Sequence, residues 1–133
     1  MERLLALART LRVACPWDRA QTLRSYRHCL VEEAQEVALA VERGDVANLQ
    51  EELGDALFTL GFLVNLAAEQ GAFTFDDVVE GAHAKLVRRH PHVFGDVLAA
   101  TPEEAIAAFE RAKAAERETE RTATLCGASA DGV

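Results

Sequence analysis

The chain has 133 residues, half of them apolar, which is enough for one domain with a core and too few to expect two. Fourteen Lys and Arg against 22 Asp and Glu leave a formal charge of −8, which repels a polyphosphate backbone and argues against general nucleic-acid binding. The longest uncharged stretch, Ala56 to Ala68, is too short to span a membrane, and no secretory signal pattern opens the chain, so a soluble cytoplasmic protein is expected.

Plentiful Ala, Leu and Glu with few β-branched residues predict an all-α fold. Residues 2–13 carry Leu4, Leu5, Ala8 and Leu11 at helical spacing, which predicts a first helix ending before Pro16. Cys15 to Gln21 has no periodicity and holds the only tryptophan, Trp17, so it reads as a loop that must seat a large ring. From Thr22 to Arg43 a long helix is predicted with Leu23, Tyr26, Leu30, Val37 and Val41 on one face, stopped by Gly44. Asp45 opens the next helix, which runs to about Gln70. Between Asp55 and Glu69 it has no charge, so most of its circumference is expected to be buried. Thr74-Phe75-Asp76-Asp77 has the form of a capping box and starts a fourth helix reaching about Arg89, where His90-Pro91-His92 ends it. Beyond an irregular stretch through Asp96, Thr101-Pro102-Glu103-Glu104 combines a cap, a proline and acids suited to a helix start, and a fifth helix runs to about Glu120. Residues 1–120 thus read as one four-helix-bundle-like domain with an added C-terminal helix, and 121–133 as a disordered tail.

The acids of the second and third helices form the one constellation that suggests chemistry. Glu32, Glu33 and Glu36 share an arc of roughly a quarter turn at about 100° per residue, and Glu52 and Asp55 sit three apart on one side of the next helix. An antiparallel hairpin folded about Gly44 sets residue 36 opposite 52 and residue 33 opposite 55, about 12 Å from the turn at 1.5 Å rise per residue. The carboxylates are then held on regular helix at one height. Glu52 also shares a stripe with Leu49, Leu53, Ala56 and Leu63, so partial burial is expected, and like charges buried together need a cation or a proton. Oxygen donors without sulfur favour Mg²⁺ or Mn²⁺. Isolated glutamates on a helix are ordinarily solvated; the turn-centred register of four acids is what raises this set above decoration. Cys15, Cys29 and Cys126 are odd in number and lack CxxC spacing, so neither a disulfide framework nor a thiolate zinc site is suggested.

Three ordered motifs, CPWDRAQT (Cys15 to Thr22), the EExxE then ExxD pattern of Glu32, Glu33, Glu36, Glu52 and Asp55, and KLVRRHPHVFGD (Lys85 to Asp96), resemble those of the MazG nucleoside triphosphate pyrophosphohydrolases. The resemblance implies an all-α dimeric or higher homo-oligomeric enzyme that converts nucleoside triphosphates to monophosphates and pyrophosphate with Mg²⁺. It matches Glu33, Glu36, Glu52 and Asp55 to metal ligands, and Lys85 and Arg89 to residues contacting phosphates. Glu32, the remaining acid of the motif, is suited to accept a proton from, or orient, the attacking water. Trp17 is the candidate for base stacking and Arg19, in the same segment, for a phosphate contact. Phe109-Glu110, Lys113 and Glu116-Arg117 are similar to a C-terminal family stretch in which Phe109 stands where the family has Trp. The rivals are a related deoxyuridine-nucleotide, deoxycytidine-nucleotide or phosphoribosyl-ATP pyrophosphatase, a di-iron carboxylate bundle suggested by Glu80 and His83, and a non-enzymatic helical dimer module.

Overall fold

The computed structural model describes residues 1–127, with side chains through 121. Among these residues the chain forms seven α-helices and no strand: α1 (Glu2–Ala14), α2 (Pro16–Ala20), α3 (Leu23–Arg43), α4 (Val46–Glu69), α5 (Phe75–Arg89), α6 (Pro91–Phe94) and α7 (Pro102–Gly127). None is long and apolar enough to cross a membrane. The helices fall into two compact units, the first Met1–Val78 and the second from Val79 onward.

Local chemistry accounts for the boundaries. Thr22 caps α3 by accepting from the Ser25 amide at 3.1 Å, while the Ser25 hydroxyl accepts from the Thr22 amide at 2.9 Å, a reciprocal capping box. At the far end Gly44 adopts φ +66°, a left-handed conformation that costs glycine little, and its amide reaches the Ala40 and Val41 carbonyls. Asp45 then caps α4 by accepting from the Asn48 amide at 3.1 Å. The expected box at Thr74 forms, with the Thr74 amide donating to Asp77 at 2.8 Å and the Asp77 amide donating to the Thr74 hydroxyl. The Thr74 hydroxyl, donating at 2.7 Å, and then the Thr74 amide hold the Asp77 carboxyl below its ordinary range.

Three expectations about where helices begin and end change. Cys15 to Gln21 is not a loop throughout: Pro16 stands at the first position of the one-turn α2, a length too short to show periodicity. His90-Pro91-His92 ends α5 at Arg89 as expected, but the stretch expected to be irregular behind it opens with the short α6. The fifth predicted helix corresponds to α7 and continues to Gly127 rather than stopping near Glu120; the remainder of the expected tail, 128–133, lies outside the described residues.

In the first unit α4 packs against both α3 and α1, and α2 against α1. The core is formed by Ala8, Tyr26, Phe62 and Leu66, with Leu23, Cys29, Phe58 and Leu63 against it. Gly61 lets α1 approach closely, since a Cβ there would meet the Leu5 side chain at 3.2 Å. The circumference of α4 is not mostly buried within one chain. Leu53, Leu57 and Leu60 are 46, 44 and 44% exposed, and their i, i+4, i+7 spacing makes them one apolar stripe.

In the second unit α6 packs on α7. There the Glu116 carboxylate receives Arg89 at 2.8 Å and Arg88 at 3.0 Å, which pulls its carboxyl below the usual range, Arg89 contributing most.

Candidate metal centre

Residues equidistant from Gly44 face each other across α3 and α4, and the acids follow this register. One carboxylate oxygen from each of Glu33, Glu36 and Glu52 lies within 4.8 Å of the others. Glu33 is half-buried, and its Oε2 is fully enclosed with no hydrogen-bond partner. Burial pushes the Glu33 carboxyl above its ordinary value, and the charges of Asp55, Glu36, Glu52 and Glu32 add to this, Asp55 most strongly. Partial burial also raises Glu52, followed by the charge of Glu36, that of Asp55 and a carboxyl–carboxyl hydrogen bond with Glu36. Thus 33 with 55 and 36 with 52 are the strongest charge pairs, as a hairpin about Gly44 requires.

An enclosed carboxylate oxygen without a donor is costly, and the charges of the four further acids make the cost larger. Among the described residues no ion pair reaches this group: Arg12–Glu69, Arg88–Glu116, Arg89–Glu116 and Lys113–Glu110 all lie elsewhere. The donor set therefore fits a bound divalent cation. Asp55 lies outside the three-oxygen group but supplies the largest charge effect on Glu33.

Glu32 is positioned differently. Its carboxylate groups with the His28 imidazole and the Cys29 thiol, although its charge still reaches Glu33. Burial, and then the Glu32 charge, raise the Cys29 thiol. The spacing of His28, Cys29 and Glu32 at i, i+1 and i+4 was a legible signal that a search for CxxC pairs passes over.

Trp17 and Arg19 lie on α2. Trp17 is 54% exposed, with its ring 6.0 Å from that of Tyr26 and inclined by 60°, so it covers the core edge and keeps an open face. Arg19 has an exposed side chain, while its carbonyl accepts from Arg12 at 2.6 Å. Arg12 also donates to the Asp18 carbonyl at 2.7 Å and pairs with Glu69 at 3.0 Å, tying α1, α2 and α4 together. Sequence reading missed this role, because nothing in the spacing of Arg12 distinguishes it from a solvated helix arginine.

Lys85 and Arg89 stand at i and i+4 on α5, within the second unit. Lys85 is exposed; Arg89 is held by Glu116, with its guanidinium 5.9 Å from the centre of the Phe109 ring. Phe109 also meets His90 edge-on at 5.3 Å, so it packs within this unit. His83 is exposed on α5, and neither it nor Glu80 joins a metal-ligand group among the described residues, which removes the motive for a di-iron bundle.

The family model described as the MazG nucleotide pyrophosphohydrolase domain matches residues 21–94, which carry all the clustered acids together with Lys85 and Arg89. Over 120 residues the chain is 41% identical to the nucleoside triphosphate pyrophosphohydrolase of Escherichia coli strain K12, covering 88% of this chain and 46% of that protein. Over 97 residues it is 43% identical to the nucleoside triphosphate pyrophosphohydrolase/pyrophosphatase MazG of Thermotoga maritima, covering 71% of this chain and 38% of that one. The chain spans less than half the length of both curated relatives. Its fold is similar to the crystal structure of a mazG-related protein from Thermotoga maritima, with a TM-score of 0.73 and 28% identity over 85% of this chain and 98% of that one. With the acid register of α3 and α4, the match over residues 21–94 and these relatives, the chain belongs to the MazG nucleotide pyrophosphohydrolase domain family.

Proposed function

We propose that the chain is a nucleoside triphosphate pyrophosphohydrolase, converting ribo- or deoxyribonucleoside triphosphates to monophosphates and pyrophosphate in nucleotide-pool house-cleaning, with Mg²⁺ as its cation and Mn²⁺ able to replace it. The observation that carries this reading is the enclosed, unpartnered oxygen of Glu33 facing Glu36 and Glu52. Glu33, Glu36, Glu52 and Asp55 hold the cation, and their all-oxygen donor set favours hard divalent ions. When bound, such an ion neutralises triphosphate charge and lowers the pKa of water. Glu32 orients the attacking water or accepts its proton. Lys85 and Arg89 bind the phosphates and stabilise charge developing on them, Trp17 stacks on the base, and Arg19 contacts phosphate. Among the described residues Cys15 and Cys29 are free thiols, which suits a cytoplasmic protein.

Product analysis over a nucleotide panel tests the reading. With Mg²⁺ present, monophosphate and pyrophosphate are expected in equal amounts, and chelation should stop their release. Diphosphate and inorganic phosphate as products, or no turnover on any nucleotide, would reject the assignment. Including dUTP, dCTP and phosphoribosyl-ATP separates the related pyrophosphatases.

A second copy of the chain covers the stripe of Leu53, Leu57 and Leu60, whose exposure in one chain is the support for a homodimer or larger homo-oligomer. Because Leu57 is half exposed in the single chain, Leu57→Glu should leave the protomer folded while breaking the association. Sedimentation at micromolar concentration is expected to give a multimer for the wild type and a monomer for this variant. An unchanged mass would remove the stripe from the interface.

A further inference from the structure

We propose that His28, Cys29 and Glu32 form a second cation site on α3, chemically distinct from the carboxylate group and suited to Zn²⁺. A sulfur, a nitrogen and an oxygen donor converge, one atom from each lying within 4.8 Å of the others. The spacing i, i+1 and i+4 keeps the three side chains on one side of a regular helix. Zinc bonds to thiolate at about 2.3 Å and to imidazole at about 2.0–2.1 Å, so the nitrogen-to-sulfur edge of a tetrahedral site is about 3.5 Å. In the structure His28 Nε2 and Cys29 Sγ are 3.6 Å apart.

The imidazole is also prepared for ligation. His28 Nδ1 lies 2.5 Å from the Ser25 carbonyl, which can only accept, so Nδ1 carries the hydrogen and the lone pair of Nε2 is turned toward the thiol. Ser25 is itself fixed by the capping box with Thr22. This arrangement, a ring nitrogen tied to a backbone carbonyl and its opposite nitrogen facing further donors, is how proteins orient a metal-binding histidine.

The charges balance as well. On coordination the Cys29 proton passes to solvent, and the resulting thiolate with the Glu32 carboxylate offsets a divalent charge. His28 and Glu32 are exposed while Cys29 is half-buried against the core, so a fourth position stays open to water. The all-oxygen group of Glu33, Glu36 and Glu52 prefers harder ions, and α3 therefore carries two sites with different selectivity. A zinc ion held here takes the Glu32 carboxylate, so this use of Glu32 and the activation of water exclude one another.

Nucleotide-free binding tests the site independently of any hydrolytic activity. The metal-free full chain is titrated with Co²⁺ as the spectroscopic probe, then with Zn²⁺ in competition. One equivalent of Co²⁺ is expected to give a thiolate-to-cobalt charge-transfer band that Zn²⁺ removes and Mg²⁺ does not. Cys29→Ser should abolish the band, and His28→Ala, at an exposed position compatible with folding, should weaken Zn²⁺ binding about tenfold or more. The double variant Cys15→Ser, Cys126→Ser and the single variant Glu36→Gln should each retain it, with circular dichroism confirming the fold of every variant. No charge-transfer band in the wild type, a band that survives Cys29→Ser, or one lost in Glu36→Gln would overturn the proposal.

Discussion

Glu36→Gln is expected to lower Mg²⁺-dependent pyrophosphate release by more than about a hundredfold, since even outer-shell partners of a metal are commonly worth 10–100-fold. The same variant is expected to raise the melting temperature of the metal-free chain by roughly 2–4 °C. The two effects have one origin. Glu36 supplies the largest charge effect on Glu52 and one of the larger ones on Glu33. Removing that charge relieves repulsion when no cation is present and removes a ligand when one is. The sign of the pH dependence follows. Glu33 and Glu52 have folded values raised above the ordinary 4.5, so their contribution to stability is fully present below 4.5 and is lost as pH rises through the raised values. Metal-free protein should therefore melt at higher temperature as pH falls from neutrality toward 4.5. Asp77 and Glu116, whose folded values are lowered, lose their contribution only below their ordinary 3.8 and 4.5, outside that window. Mg²⁺ should stabilise the wild type at neutral pH by binding the folded form, and should stabilise Glu36→Gln much less. Thermal melts in chelator and in Mg²⁺, beside the activity assay, check all of these. Wild-type activity in Glu36→Gln, or a lower melting temperature without metal, would separate this acid from the proposed site.

The four long helices of residues 2–89 were legible because each carries both a period and a punctuation mark: Gly44 and Asp45 at one turn, Thr74 and Asp77 at the next start. The facing of acids 33 with 55 and 36 with 52 was legible too, since a tight hairpin leaves little freedom in register once its turn is known. What could not be read was burial. The charge-free run of α4 says that a helix is apolar on several sides, not whether its own chain or another covers each side, and Leu53, Leu57 and Leu60 remain open. Side-chain direction was equally hidden. Glu32 and Glu33 are neighbours about 100° apart, and that rotation sends one toward His28 and Cys29 and the other toward Glu36 and Glu52. Long-range ties such as Arg12 to Glu69 depend on how α1 lies on α4, which no local pattern encodes.

Phe62→Ala is expected to cost about 3–5 kcal/mol of stability, a large fraction of the roughly 5–15 kcal/mol of a typical domain. Phe62 is fully buried, and its ring lies 4.3 Å from that of Tyr26 and 6.0 Å from that of Phe58. Few other large side chains in the first unit are as enclosed, so the cavity would have little to collapse into it. The consequence reaches the acids. Tyr26 is two turns from Glu33 on α3, Phe62 is two turns from Asp55 on α4, and both pairs are equidistant from Gly44, so the aromatic contact and the carboxylate contacts lie along one seam. The buried Tyr26 is further held by a hydrogen bond with Thr59. Loss of the ring thus loosens the register that brings the carboxylates together, and Phe62→Ala should weaken Mg²⁺ binding as well as stability. Phe62→Leu keeps most of the volume and should cost about half as much or less. Urea unfolding at fixed protomer concentration, with Mg²⁺ titrations of both variants under folding conditions, measures the two effects. A loss below about 1 kcal/mol in Phe62→Ala, or unchanged Mg²⁺ affinity in a variant shown to be destabilised, would mean that the acid register is set by the Gly44 turn alone.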